Sequence, residues 1–244
     1  MRQLLCGLLT LTWAIGAAPA ARSAHPRPDL FQQVIVVDAG HGGRDYGAQV
    51  TGLDEKDLVL SISRQTARAL RNAGACVVET RSADTNLVHP GPKPCNLQRK
   101  NLEARVTLAE RSDAGIFLSI HANKFSDPSA HGAQVFVGEN PDAERQLLGT
   151  CLHSELTTLS GSRRELNTTR DLYLMRNLKI PAALIEVGFI SNPAERARML
   201  QPRYQRELAQ GITRGVVCFV RGRSALRLRR SATLPPAHVP ASNG

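Results

Sequence analysis

Two periodicities alternate along the middle of this chain. Val34-Ile35-Val36-Val37 is an unbroken β-branched run, the pattern of a strand buried on both faces of a parallel sheet. It gives way to Asp38-Ala39-Gly40-His41-Gly42-Gly43, a glycine-rich loop that no helix tolerates. From Asp57 to Asn72, Leu58, Ile62, Ala69 and Leu70 recur at helical spacing, and Gly74 supplies a stop. Cys76-Val77-Val78 predicts the next strand. Ser82 to Asn101 reads as a proline-containing loop, followed by a helix over Leu102–Arg111. Ile116-Phe117-Leu118-Ser119-Ile120 is a second buried strand that runs directly into His121. A strand over Ala133–Val137, a helix from Asp142 to Leu159, a short strand over Leu172–Met175 and a strand over Ala182–Val187 follow. A short helix after Pro193 and a longer one over Gln205–Val220 close the pattern. Strands alternating with helices predict a single α/β domain over residues 32–220, its mostly parallel sheet flanked by helices on both faces. No internal repeat interrupts it.

The two ends read differently. Arg2, the apolar run Leu4–Ala18 and the small residues that follow describe a secretory signal over residues 1–20, cleaved after Ala20 or alternatively Ala24. The run is short for a spanning helix, so no membrane span is expected once it is removed; an uncleaved anchor is the competing reading. Residues 21–31 read as a linker and 221–244 as a flexible basic tail. Export places Cys76, Cys95, Cys151 and Cys218 where bridges can form, and their spacing selects no pairing.

Charge narrows the partners. The formal net charge is +10, five arginines lie between Arg221 and Arg230, and no acid follows Glu207. Such a surface favours anionic partners, and export turns the expectation from nucleic acid toward a carboxylate-rich polymer such as bacterial cell wall.

Candidate chemistry gathers at strand ends, where open α/β sheets place their sites. His41 follows the first strand, His121 ends the third, and Glu186 lies near the end of the late apolar strand. Two histidines on one rim suit a catalytic zinc, which takes three protein ligands of His and carboxylate type and keeps a fourth position for water. The third ligand is sought in Asp54-Glu55-Lys56-Asp57; spacing does not choose among the three acids, and Asp57 doubles as a candidate N-cap. Glu186, between Ile185 and Val187, is costly to bury without a compensating partner, and burial suits it to proton transfer. The bland alternatives are a loop histidine bonded to local backbone and a Glu186 paired with an arginine. The glycine loop lacks both G-x-G-x-x-G and the P-loop Lys-Ser/Thr, which argues against phosphate binding.

Four blocks, in order, resemble the zinc-dependent N-acetylmuramoyl-L-alanine amidases: Val36–Gly43, Leu53–Leu58, Ser119–Asn123 and Ile185–Asn192. The similarity extends from Val34 to Val220 and includes Thr80-Arg81, the helix with Arg105, and Tyr173-Leu174-Met175-Arg176. The resemblance implies one zinc ion held by His41, Glu55 and His121, with Glu186 as the catalytic carboxylate. It implies hydrolysis of the amide between N-acetylmuramic acid and the L-alanine that starts the peptide stem of peptidoglycan. Arg176 and Asn123 are candidate substrate contacts, and an activator protein is a candidate partner. A periplasmic address in a Gram-negative cell is expected, since no wall-anchoring repeat or sorting signal is evident. The chain departs from many relatives in having Ala39 where they carry proline. It also lacks a long insertion between Ala122 and Gln134, where some division-associated relatives carry a self-blocking helix. Two other readings compete: an exported zinc peptidase, and a catalytically silent wall-binding module.

Overall fold

Strands that are apolar throughout need cover on both faces, and the helices supply it. A computed structural model describes residues 28–50, 52–88 and 96–233. The expected signal segment, Cys95 and everything beyond Thr233 lie outside the described residues. In chain order the elements are β1 (Val34–Ala39), β2 (Gln49–Val50), β3 (Leu53–Asp54), α1 (Glu55–Asn72), β4 (Cys76–Glu79), α2 (Leu97–Arg111), β5 (Ile116–Asn123), β6 (Gln134–Gly138), α3 (Ala143–Ser160), β7 (Asn167–Thr169), α4 (Tyr173–Asn177), β8 (Ala182–Phe189), α5 (Pro193–Met199) and α6 (Pro202–Thr233). The main sheet has the order β4-β1-β5-β8-β6-β7. Strands β4, β1, β5 and β8 run parallel, β6 lies antiparallel to β8, and β7 is parallel to β6.

Alternate residues of each central strand face opposite layers. Ile35, Val37, Leu118, Ile120, Ile185 and Val187 join the larger core under α1, α3 and α6, with Ile62, Leu152, Leu156, Ile212 and Phe219 opposite them. Val36, Phe117 and Leu184 turn the other way and join a smaller core with Ala109 of α2 and Leu174 and Met175 of α4. The α/β architecture with helices on both faces is as the hydrophobic pattern predicts. A disulfide links Cys151 of α3 to Cys218 of α6 within the larger layer, with Cα atoms 5.9 Å apart, and Cys76 is a free, exposed thiol.

Four local expectations need correction. Helix α2 begins at Leu97, inside the stretch read as a loop over Ser82–Asn101. The short strand expected over Leu172–Met175 is instead the single helical turn α4, and the edge strand is β7. The physical reason is that adjacent Leu174 and Met175 are both buried on one side, which a pleated strand cannot do. The last helix does not end at Val220 but continues to Thr233. No proline interrupts it before Pro235, and Arg221 pairs with Asp29 while Arg223 donates to Gln33. Finally, the N-cap of α1 is Asp54, and Asp57 lies inside the first turn.

For the site, the register is what matters. Asp38 pairs with Ser119, Ala39 with Ile120, and His121 with Glu186, so the carboxyl ends of β1, β5 and β8 meet at one rim. Residues 124–133 join β5 to β6 without an inserted helix.

Candidate active site

Glu55 is the hinge of the site. It is the first residue of α1, 4% exposed, and its two carboxylate oxygens face two different histidines. Its Oε2 lies 3.1 Å from His41 Nε2 and its Oε1 lies 3.0 Å from His121 Nδ1. Backbone amides fix the carboxylate from behind, Ala48 donating to Oε2 at 2.8 Å and Ala122 to Oε1 at 3.1 Å. Burial raises the Glu55 carboxyl, but the hydrogen bonds to His121 and His41 outweigh it and hold the group well below the ordinary carboxylate range. Asp54 turns away to Gln49 at 2.7 Å, so geometry selects Glu55 from the acids that spacing left open.

His41 sits on the loop after β1 at φ 61°, in the left-handed region that a residue with a Cβ occupies at a cost. Two buried arginines hold that loop. Arg105 of α2 donates to the His41 carbonyl at 2.7 Å, and Arg81 donates to those of Ala39 and Gly40 at 3.0 and 2.7 Å. Asp38 closes the network beneath them, accepting from Thr80 and Ser119 at 2.7 Å each and facing Arg105 Nε at 3.0 Å. The loop is therefore strained and stiff. Burial lowers the His41 imidazolium, yet the hydrogen bonds to Asp45 and Glu55 prevail and raise it to about 9.

His121 comes from the end of β5, and its ring meets that of His41 edge-on, centroids 4.8 Å apart. Ligand atoms of His41, Glu55 and His121 all lie within 4.8 Å of one another. Two imidazoles and a carboxylate converging from three elements form a candidate metal site, and the donor set suits zinc. In the absence of a metal, the histidines meet Glu55 as hydrogen-bonded pairs, and a cation at the centre would take the place of their protons.

Glu186 is the register partner of His121 on the adjacent strand. Its Oε2 is buried and has no hydrogen-bond partner among the described residues. Burial is the main cause that pushes its pKa up to about 7. A carboxylate without a protein partner, beside a metal-type cluster, has the environment of a group that exchanges protons with a bound molecule.

A cavity of about 300 Å³ opens from His41 and His121 toward α2 and α4, with Arg105, Asn101, Asp171 and Leu184 among its walls. Arg176 does not line it; it lines a separate recess with Arg145 and Arg170 and donates to the Arg170 carbonyl. The Asn123 side chain accepts from the amide of Lys124 at 2.8 Å and lies outside the metal cluster. Sequence reasoning missed Asp45 and the Lys56–Asp84 pair. A carboxylate four residues after His41 was the available signal for the first; Asp84 had none.

Comparison with known proteins agrees with this geometry. The family model described as N-acetylmuramoyl-L-alanine amidase (Amidase_3) matches residues 35–218. The germination-specific N-acetylmuramoyl-L-alanine amidase of Bacillus subtilis is 36% identical over 192 residues, covering 78% of this chain and 81% of that protein. The amidase AmiA of Escherichia coli is 27% identical over 233 residues, covering 77% and 76%. Among solved structures, the CwlD amidase of Clostridioides difficile, seen in complex with the GerS lipoprotein, superposes with a TM-score of 0.74 at 31% identity, covering 78% of this chain and 99% of that one. From rim to family, the observations converge: this chain belongs to the N-acetylmuramoyl-L-alanine amidase family and is a hydrolase of peptidoglycan.

Proposed function

We propose that this amidase works with one zinc ion held by His41, Glu55 and His121, and that Glu186 moves the protons of the reaction. The observation that carries the reading is the unpartnered, buried Oε2 of Glu186 across the strand pair from His121, beside a three-donor cluster. Zinc, when bound, makes water acidic near neutral pH and polarises a carbonyl. The chain's own residues do the rest. Glu186 accepts a proton from the attacking water and delivers it to the nitrogen of L-alanine as the amide to the lactyl group of N-acetylmuramic acid breaks. Its raised pKa suits both transfers near neutrality. Arg81 and Arg105 keep the His41 loop in its strained conformation, so the ligand does not reorganise during turnover.

Arg176 and Asn123 remain candidate contacts to substrate outside the metal cluster. The proposal extends to export, to a protein partner and to a substrate-facing role for the basic surface. Export rests on the signal-like first residues, and no described helix is long and apolar enough to cross a membrane. A protein partner is supported by the lipoprotein complex of the Clostridioides difficile relative. Relatives occur in Bacillus subtilis as well as in Escherichia coli, and a Gram-negative periplasm draws no support from them.

Digestion of purified sacculi by zinc-loaded protein, followed by mass spectrometry, tests the reading. Free stem peptides beginning with L-alanine are expected. Stems cut internally while still attached to muramic acid would replace it with a peptidase.

A further inference from the structure

The side chain of Asp45 stands on the far side of His41 from the metal cluster. Its Oδ1 lies 2.9 Å from His41 Nδ1 and also receives the backbone N–H of Gly47 at 3.1 Å. The opposite ring nitrogen, Nε2, faces Glu55. An ionised carboxylate can only accept, so the contact places a proton on Nδ1, and when a metal takes the place of the proton that Nε2 shares with Glu55, the Nε2 lone pair is the one left for it. The position of Asp45 is itself fixed. Reciprocal backbone hydrogen bonds join Gly42 and Asp45, Gly42 N–H to the Asp45 carbonyl at 2.9 Å and Asp45 N–H to the Gly42 carbonyl at 3.1 Å. The ring of His41 is also confined at its edge: a Cβ on Gly47, which sits at φ 67°, would lie 2.6 Å from His41 Cδ2 and 2.6 Å from Glu55 Oε2. Carboxylate, closed loop and glycine therefore hold one ring orientation.

We propose that Asp45 is the positioning residue for His41: it selects the Nδ1-protonated tautomer and aims Nε2 at the metal. This rests on the reading of His41, Glu55 and His121 as ligands. A carboxylate behind a ligating histidine makes the ring more basic and keeps it in place, and removing such a partner characteristically costs about 10- to 100-fold in metal affinity. A substrate contact would leave zinc affinity and tautomer untouched, and a purely structural loop acid would leave the tautomer untouched.

The test measures zinc affinity of the full chain by competition with a chromogenic chelator, for wild type, Asp45→Asn and Asp45→Ala. It is paired with 15N NMR of the His41 ring in the zinc-loaded wild type. Asp45→Asn keeps the size and an acceptor for Gly47 while removing the charge. The proposal expects zinc binding weaker by about tenfold in Asp45→Asn and up to about 100-fold in Asp45→Ala, with the wild-type ring protonated at Nδ1. Unchanged affinity in both variants overturns it. So does a wild-type ring protonated at Nε2, a result that needs no variant to fold. If His41→Ala takes up zinc as tightly as wild type, the ligand reading itself fails, and that outcome is distinct from a failure of Asp45 alone.

Discussion

Glu186 on β8 and His121 on β5 are register partners on neighbouring parallel strands, and the carboxylate of the first has a buried oxygen with no hydrogen-bond partner among the described residues. The proposed metal-holding and proton-transfer roles thus fall on different residues of one strand pair. Glu186→Gln keeps the size of the side chain and removes its basicity. The variant is expected to bind zinc like wild type and to lose about 10²- to 10⁴-fold in turnover. Metal analysis and a peptidoglycan-release assay on the same preparation check it, and near-normal turnover in a zinc-replete variant would remove Glu186 from the mechanism.

With His41 as a zinc ligand, as proposed, zinc and protons would compete for its ring. Its imidazolium is raised to about 9, against burial, by the carboxylates of Asp45 and Glu55. In protein stripped of metal, the protonated pair stabilises the fold fully below the unfolded value near 6.5, and this contribution is lost as pH rises through about 9. Zinc needs the neutral ring, so its apparent affinity is expected to rise by up to about tenfold per pH unit between about pH 6.5 and 8. Chelator competition across that range, with proton release followed by calorimetry in two buffers, measures the effect; a flat profile would contradict it.

Gly40 is a glycine because His121 occupies the space a side chain would need. A Cβ there would lie 2.3 Å from His121 Cε1 and 2.5 Å from Nε2. Gly40→Ala is expected to displace the ring, abolish most zinc uptake and cost about 1–3 kcal/mol of stability. Metal content and a denaturation curve read both; full zinc occupancy would show that the ring has room to move.

The loop that carries His41 is tied to α1 from outside. Asp84 accepts from the Gly43 amide at 2.7 Å and pairs with Lys56 at 2.7 Å, and Lys56 also donates to the Gly43 carbonyl at 2.9 Å. The hydrogen bond from Lys56 holds the Asp84 carboxyl below its ordinary value. A depressed folded pKa contributes stability above the unfolded value and loses it as pH falls through the folded one. Asp84 is 44% exposed at its side chain, which limits the pair to about 0.2–1 kcal/mol. Urea midpoints of wild type and Asp84→Asn should therefore differ modestly at pH 7 and converge in acid. A gap that widens on acidification would reverse the sign.

Cys151 and Cys218 close a 67-residue span of chain and fasten α3 to α6. Removing the bridge frees the unfolded chain more than the folded one, a loss of about 2–4 kcal/mol. The double variant Cys151→Ser/Cys218→Ser is expected to melt lower while still binding zinc, because neither cysteine touches the site. Calorimetry and metal analysis would show this; an unchanged melting temperature would mean that the bridge does not restrain the chain in solution.

The sequence by itself determined where the sheet is and which ends matter. Val34–Val37, Ile116–Ile120 and Ala182–Val187 are apolar enough to require burial on both faces, and the polar residues that interrupt or end them, His41, His121 and Glu186, follow from that pattern alone. Burial is written locally, one residue at a time. Long-range choices were decided only by tertiary structure. Glu55 rather than Asp54 or Asp57 meets the histidines because α1 begins where its first side chain points under β5, a distance in space that no spacing encodes. Resemblance anticipated that residue; the acids by themselves did not distinguish it. Asp45 reaches His41 only when the intervening loop closes on itself. Cys151 finds Cys218 only when α3 and α6 pack side by side, and Leu174 and Met175 become a helical turn because the smaller core accepts both. Periodicity reports which faces leave water, whereas pairing depends on which buried faces meet, and that choice is made by the chain as a whole.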